Sequence, residues 1–163
     1  MRITVKDLGG HSAALARLER GVRVVAEGTY GAMTAARRRR PKVLLIAGGI
    51  GITPLRALLQ TLPGDSGDIT LLYRAGDDRD IVFREELAAL ARLRGATVHF
   101  LTGHRRGLGH DPLSAPVLAA NISDLRARDV YVCGPDGMTA AVVAALREAK
   151  VPRGQIHHEI FEF

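Results

Sequence analysis

The sequence predicts a doubly wound α/β domain on a five-stranded parallel sheet. Beyond residue 42, short strand-like segments alternate with helical patterns, and the strand-like segments begin 26 to 33 residues apart. The first four carry little polar alternation, as expected of strands covered on both faces. Alternation at that spacing makes βαβ units with right-handed crossovers. Composition agrees. The chain has 163 residues, 47% hydrophobic and 25% charged, which sets one domain or one plus a fragment and excludes disorder as the main state. Aromatics are 4% with no Trp, so the core is built from Ala, Val, Leu and Ile.

Taken in order, residues 1–35 differ from the rest. Arg2–Lys6 alternates, with Ile3 and Val5 on one side, and reads as a half-buried strand. Gly9-Gly10-His11-Ser12 reads as a loop, with Ser12 the N-cap of a short Ala/Leu helix ending before Gly21. Val22–Ala26 reads as a second strand and Gly28-Thr29-Tyr30-Gly31 as a turn. Two strands and a short helix cannot bury a core alone, so this segment reads as the tail of a β-domain whose beginning is absent. Residues 36–42 read as a solvated basic linker with four arginines, Arg37–Arg40, and Pro41. Residues 43–163 hold the α/β domain. Its strands are Val43–Ala47, Ile69–Tyr73, Thr97–Leu101, Val130–Cys133 and Ile156–Ile160; its helices are Pro54–Leu62, Phe83–Leu93, Pro112–Ala120 and Pro135–Ala149. Three of these helices open with proline, expected at the first helical position, where a missing N–H costs nothing.

Several function classes fall away. The uncharged run Val43–Leu55 has 13 residues, and a spanning helix needs about 20. The first six residues carry no signal-peptide pattern, and the chain reads as cytoplasmic. One cysteine excludes a disulfide framework and a cysteine-based metal cage. Adjacent His157 and His158 point to opposite faces of a strand and are poor joint ligands, so no metal site is expected. The net charge of +6 favours anionic partners. The arginine run lacks interleaved aromatics for base stacking, which argues against specific nucleic-acid binding.

In open α/β sheets, ligands bind beyond the carboxyl ends of the strands. The first strand ends in Gly48-Gly49-Ile50-Gly51-Ile52-Thr53-Pro54. Glycines admit close backbone approach, and the following helix start supplies N–H groups and a positive dipole end, which together suit a pyrophosphate. Pro54 stands where a final dinucleotide-motif glycine would fall, and no Walker A lysine follows. The second strand ends at Arg74, with Arg79 nearby; an arginine there accommodates a 2′-phosphate, which favours NADPH over NADH without settling it. The fourth strand ends in Cys133-Gly134-Pro135-Asp136-Gly137-Met138. Cys133 could be a nucleophile, a packing residue or a soft wall against a nicotinamide ring; no local base activates it, which disfavours the first. The chain closes on an alternating edge strand, Glu159-Ile160-Phe161-Glu162-Phe163.

Gly-Gly-Ile-Gly-Ile-Thr-Pro, Cys-Gly-Pro-x-x-Met and the terminal Glu-Ile-Phe resemble the NAD(P)-binding half of the ferredoxin–NADP reductase superfamily. The likeness is nearest to the reductase portion of bacterial ferric-reductase-like and NADPH-oxidase-like flavoproteins. Val5 to Ser12 and Glu27 to Gly31 are similar to the end of that family's antiparallel FAD-binding β-barrel, of which residues 1–35 would be a C-terminal fragment. The resemblance implies that Gly48, Gly49, Gly51, Ile52, Thr53 and Pro54 cradle the pyrophosphate and flank the nicotinamide. It implies that Arg74 meets the adenosine ribose phosphate, and that Cys133, Gly134, Pro135 and Met138 form the nicotinamide shelf, Cys133 nearest the hydride path. Glu159 and Phe161 would sit by the flavin, and Gly9, Gly10, His11 and Ser12 by the FAD pyrophosphate. The family's Arg-x-Tyr-Ser/Thr flavin motif is absent, and Thr29 replaces the usual proline.

The implied activity is hydride transfer from NADPH or NADH to FAD, with electrons passing on to ferredoxin, haem or ferric iron on a partner protein or membrane haem domain. The alternative is an NAD(P)-binding module without flavin binding or turnover of its own. An incomplete barrel would leave strand edges open to pairing with another chain. Full-length relatives could be membrane-attached with this part on the cytoplasmic side.

Overall fold

A computed structural model describes residues 3–25, 27, 31, 33–103 and 111–160. It divides into two compact units, residues 1–30 and 31–163. The expected turn at residues 28–30, Phe161 and the residues after it lie outside the described residues.

The larger unit is the expected α/β domain. Its strands are β1 (Val43–Gly48), β2 (Ile69–Arg74), β3 (Thr97–Leu101), β4 (Asp129–Gly134) and β5 (Ile156–Ile160). All neighbours pair in parallel, in the order β3-β2-β1-β4-β5. Chain order therefore reverses direction between β1 and β4, the switch point where such sheets open a crevice. Successive side chains of a strand face opposite sides, and the core follows that parity. Val43, Leu45 and Ala47 join Tyr73, Tyr131 and Cys133 in one buried layer under α2 (Ile52–Thr61) and α3 (Arg84–Arg94). Leu44 and Ile46 join Val130 and Val132 in the other, under α4 (Ala115–Asn121) and α5 (Asp136–Glu148).

The helices carry their own start and stop signals. The α3 helix has Glu85 and Glu86 in its first turn and Arg92 and Arg94 in its last, matching the helix dipole, and it ends on Gly95 at φ 59°. Arg56 of α2 donates to Glu86 of α3 at 2.7 Å, tying the two helices. The prolines do not sit at first helical positions. Pro54 is the third residue of α2, Pro135 is the N-cap of α5, and Pro112 precedes α4, which carries Pro116 in its first turn instead. Pro54, Pro135 and Pro116 still fall among N–H groups that lack intrahelical partners, so the energetic reason survives the shift in position.

The amino-terminal unit departs from expectation. Among its described residues the helix α1 (Gly10–Leu15) is capped by Gly9, not Ser12. Ser12 lies inside it, and its hydroxyl accepts from Leu8 N at 2.9 Å and donates to Gly9 O at 2.8 Å. Ile3–Lys6 and Val22–Val25 form no strand, and Ile3 and Val25 are 68% and 100% exposed. Alternation specifies a strand only where a partner edge and a covered face exist, and the described residues of this unit supply neither.

The arginine run is not simply solvated. Ala35–Arg37 forms a 3-10 turn, and the backbone N–H groups of Arg39 and Arg40 donate to Asp129 Oδ2 at 2.6 and 2.5 Å. Asp129 is fully buried, and His157 Nε2 lies 3.2 Å from its other oxygen. Arg38 donates to the carbonyls of Arg40, Pro41 and Pro63. A buried carboxylate cannot remain unpaired, so Asp129 pins this strap to the start of β4. Below it, buried Arg128 reaches Val43 O, Asp68 O and Thr70 Oγ1, and its guanidinium beside Asp124 holds that carboxyl down to about 2.

Candidate functional site

The strand register brings the candidate residues to one edge. Gly48 aligns with Arg74 and Ala47 with Cys133; Arg74 aligns with Leu101, and Cys133 with Glu159. The turns after β1 and β4 therefore face each other across the switch point.

Packing explains most of the glycines there. A methyl group on Gly51 would lie 2.7 Å from Gly134 N and closer still to the Cys133 carbonyl. Gly51 thus lets the start of α2 press directly on the end of β4. Gly48 and Gly134 form a notch filled by Met138, whose Cε would lie 2.7 and 2.8 Å from methyl groups added to the two glycines. Gly49 in the first turn is open to a ligand: it is exposed at φ 51°, with nothing within 4 Å of an added Cβ. Its backbone faces open space next to a helix start, an arrangement suited to an anion. Thr53 Oγ1 donates to Ile50 O at 3.0 Å and holds the turn closed.

Tyr73 is the residue the sequence reading gave no role. Its hydroxyl donates to Gly49 O at 3.2 Å and accepts from Val82 N at 3.4 Å, so β2 fixes the glycine turn from beneath. The available signal was a tyrosine at the end of a buried strand, since a buried phenol usually has a polar partner.

Arg74 is half-buried and donates to Ala75 O at 2.6 Å, to Leu101 O at 2.9 Å and to Gly103 O. Three N–H groups of its fork thus lace the loops after β2 and β3 together. It also lines a cavity of about 140 Å³ with Asp111, Leu113, Gly137 and Met138. Arg79 is exposed and bonded to Asp77.

Cys133 is fully buried, and burial, reinforced by Glu159, pushes its thiol up to about 12. It is uncharged at neutral pH, so it is no nucleophile in this structure. The Glu159 carboxylate lies against Gly31, where a methyl would stand 3.1 Å from its Cδ. Gly9, Gly10, His11 and Ser12 belong to the amino-terminal unit, around α1. Among the described residues no cluster of His, Cys, Asp or Glu could hold a metal, and no helix is long and apolar enough to cross a membrane.

Residues 45–144 match the family described as oxidoreductase NAD-binding domain. The chain belongs to that family. It forms the carboxy-terminal, NAD(P)-binding part of the ferredoxin–NADP reductase superfamily. Over 99% of the chain it is 32% identical to ferredoxin–NADP reductase B of Sorangium cellulosum, covering 71% of that protein. Over 73% of the chain it is 37% identical to the ferredoxin reductase component of 3-ketosteroid-9-alpha-monooxygenase of Mycobacterium tuberculosis, covering 33% of it. Among solved structures, the FAD/NAD-binding domain of nitric oxide dioxygenase from Vibrio cholerae is 30% identical with a TM-score of 0.62, over 76% of this chain and 52% of that one. The chain thus spans about a third of the length of the monooxygenase reductase component it matches.

Proposed function

We propose that this chain is the pyridine-nucleotide-binding part of a flavoprotein reductase that takes hydride from NAD(P)H. The observation that carries the proposal is the open backbone at Gly49, set at the switch point across from the Cys133–Met138 turn. The Gly49–Pro54 turn and the start of α2 hold the pyrophosphate, with Tyr73 and Thr53 keeping the turn in shape. Arg74 and Arg79 stand at the adenosine end, where Arg74 keeps part of its fork for a 2′-phosphate. Cys133, Gly134, Pro135 and Met138 form a close-packed wall for the nicotinamide, and the uncharged thiol adds no competing nucleophile. The bound cofactors supply the redox chemistry, a hydride from nicotinamide to FAD and then electrons to an acceptor; the protein aligns the rings and keeps water out. Flavin contacts are assigned to Glu159 and Phe161, and contacts to the FAD pyrophosphate to Gly9, Gly10, His11 and Ser12. The acceptor is a partner protein, by analogy with relatives named as components of monooxygenase systems. It carries a ferredoxin, haem or ferric-iron centre, and a membrane-attached haem domain is one form it takes.

A second reading has its own support. The described residues of the amino-terminal unit form a helix and no strand, and their apolar side chains Ile3, Leu8, Val22, Val24 and Val25 are exposed. On that reading the chain binds NAD(P)H but needs further β-structure to hold FAD. A visible spectrum of the purified chain with added FAD, followed by anaerobic NADPH, decides between them. A bound flavin that NADPH bleaches supports the first reading. NADPH binding without retained flavin supports the second, and absence of NADPH and NADH binding refutes both.

A further inference from the structure

At the opposite end of the sheet from Gly48 and Gly134 lies a second cavity, of about 430 Å³. The strap before β1 forms one wall, with Arg37 and Arg39; the turn into β5 forms the other, with Arg153, Gly154, Ile156 and His157. Among the described residues no acidic side chain lines it. The two walls touch, since a methyl on Gly154 would lie 3.4 Å from Arg39 Nη1.

The arginines of this strap divide into two groups. Arg38 and Arg40 spend their guanidinium groups on protein acceptors: backbone carbonyls for Arg38 and Gln155 Oε1 for Arg40. The guanidinium groups of Arg37, Arg39 and Arg153 make no hydrogen bond or ion pair among the described residues, although all three line the cavity. The nearest buried carboxylate, Asp129, is already engaged by two backbone N–H groups and faces His157. Asp129 therefore fixes the strap without neutralising the arginines, and leaves three uncommitted forks around one concavity. Planar guanidinium forks match phosphate oxygens two at a time.

We propose that this cavity binds a phosphate-bearing small molecule at a site separate from the nucleotide edge. The ligand is either a free phosphate or pyrophosphate, or the phosphate end of a nucleotide.

The test is calorimetric titration of the full chain, saturated with NADP+ so that the strand-end site is filled. The probes are inorganic pyrophosphate, adenosine 5′-monophosphate and adenosine. The site predicts one equivalent of a phosphate-bearing probe bound and no binding of adenosine. Equal affinity for the two phosphates assigns the site to phosphate alone; a nucleotide at least tenfold tighter assigns it to a nucleotide. Arg39→Gln and Arg153→Gln should each weaken binding about tenfold, the worth of one charge-assisted bond. Arg92→Gln, on an exposed position of α3 away from the cavity, should leave it unchanged. All three side chains are exposed, so unaltered melting temperatures are expected to confirm folding. Absence of heat at millimolar probe, equal binding of adenosine, or unchanged affinity in the folded double variant R39Q/R153Q would overturn the proposal. A chain that fails to bind NADP+ would count against the proposed function alone, because this readout is the difference between cavity variants and parent.

Discussion

Replacing Gly51 by alanine separates a packing role for the glycine turn from a purely ligand-binding one. The added methyl would press on the Cys133 carbonyl and stand 2.7 Å from Gly134 N. These are backbone atoms of a fully buried strand end with no rotamer to relieve them, so α2 or β4 must shift. Overpacking a core costs about 1–3 kcal/mol, and a rigid obstacle puts this case near 3 kcal/mol. For a chain of this size each kcal/mol lowers the melting temperature by about 2–4 °C, giving a drop on the order of 6–12 °C. Gly48→Ala is the internal control. Its methyl meets mainly the tip of Met138, a flexible side chain that can swing aside. Its cost should be near 1 kcal/mol and its drop only a few degrees. Thermal unfolding followed by circular dichroism reads both. If Gly51→Ala melted within about 2 °C of the parent, or if Gly48→Ala lost more, the close-packing argument would be wrong.

Three further outcomes are expected. Tyr73→Phe should cost about 1 kcal/mol in urea unfolding and weaken NADPH binding severalfold by loosening Gly49; unchanged binding would leave the hydroxyl a structural role only. Asp129→Asn should cost on the order of 3 kcal/mol, because two backbone N–H groups and His157 lose a charged acceptor; a urea midpoint equal to the parent's would show that the strap is not pinned there. Cys133 should resist iodoacetamide at pH 8 in the folded chain and react once unfolded. Its thiol is held near 12 when folded against an ordinary 9.0. The unfolded state therefore gains by ionising first, and stability should fall as pH rises above about 9; a Cys133→Ser variant with the same alkaline loss would assign that loss to other groups.

The sheet was legible because burial on both faces leaves a compositional trace. Each of the five strands lies within a residue or so of where apolar runs such as Val43–Ala47 and Val130–Cys133 placed it. The candidate site's place at the strand ends follows from topology, and its glycine turns from composition. What the glycines do was less readable. The motif makes Gly48 and Gly51 look like parts of a ligand cradle, whereas both are explained by close approach of β4 and α5, which depends on contacts distant in sequence. Arg74 was legible as a cation at a strand end but not as a staple of two loops, because its carbonyl partners lie up to 29 residues away. The strap arginines read as a solvated run, since nothing local reveals that a buried carboxylate 89 and 90 residues later binds their backbone. The amino-terminal segment misled in the other direction. Its alternation at Ile3–Lys6 is a strand pattern, but a pattern makes a strand only when an edge is present to receive it.

On the proposed function, NAD(P)H binds at the carboxyl ends of β1 and β4. The direct measurement is a titration of the isotope-labelled chain with NADP+, following backbone amide resonances. Shifts concentrated in Gly48–Thr53, Arg74–Gly76 and Cys133–Met138 at the lowest nucleotide concentrations are the expected result. An absence of shifts at millimolar nucleotide, or shifts centred away from those turns, would contradict the claim.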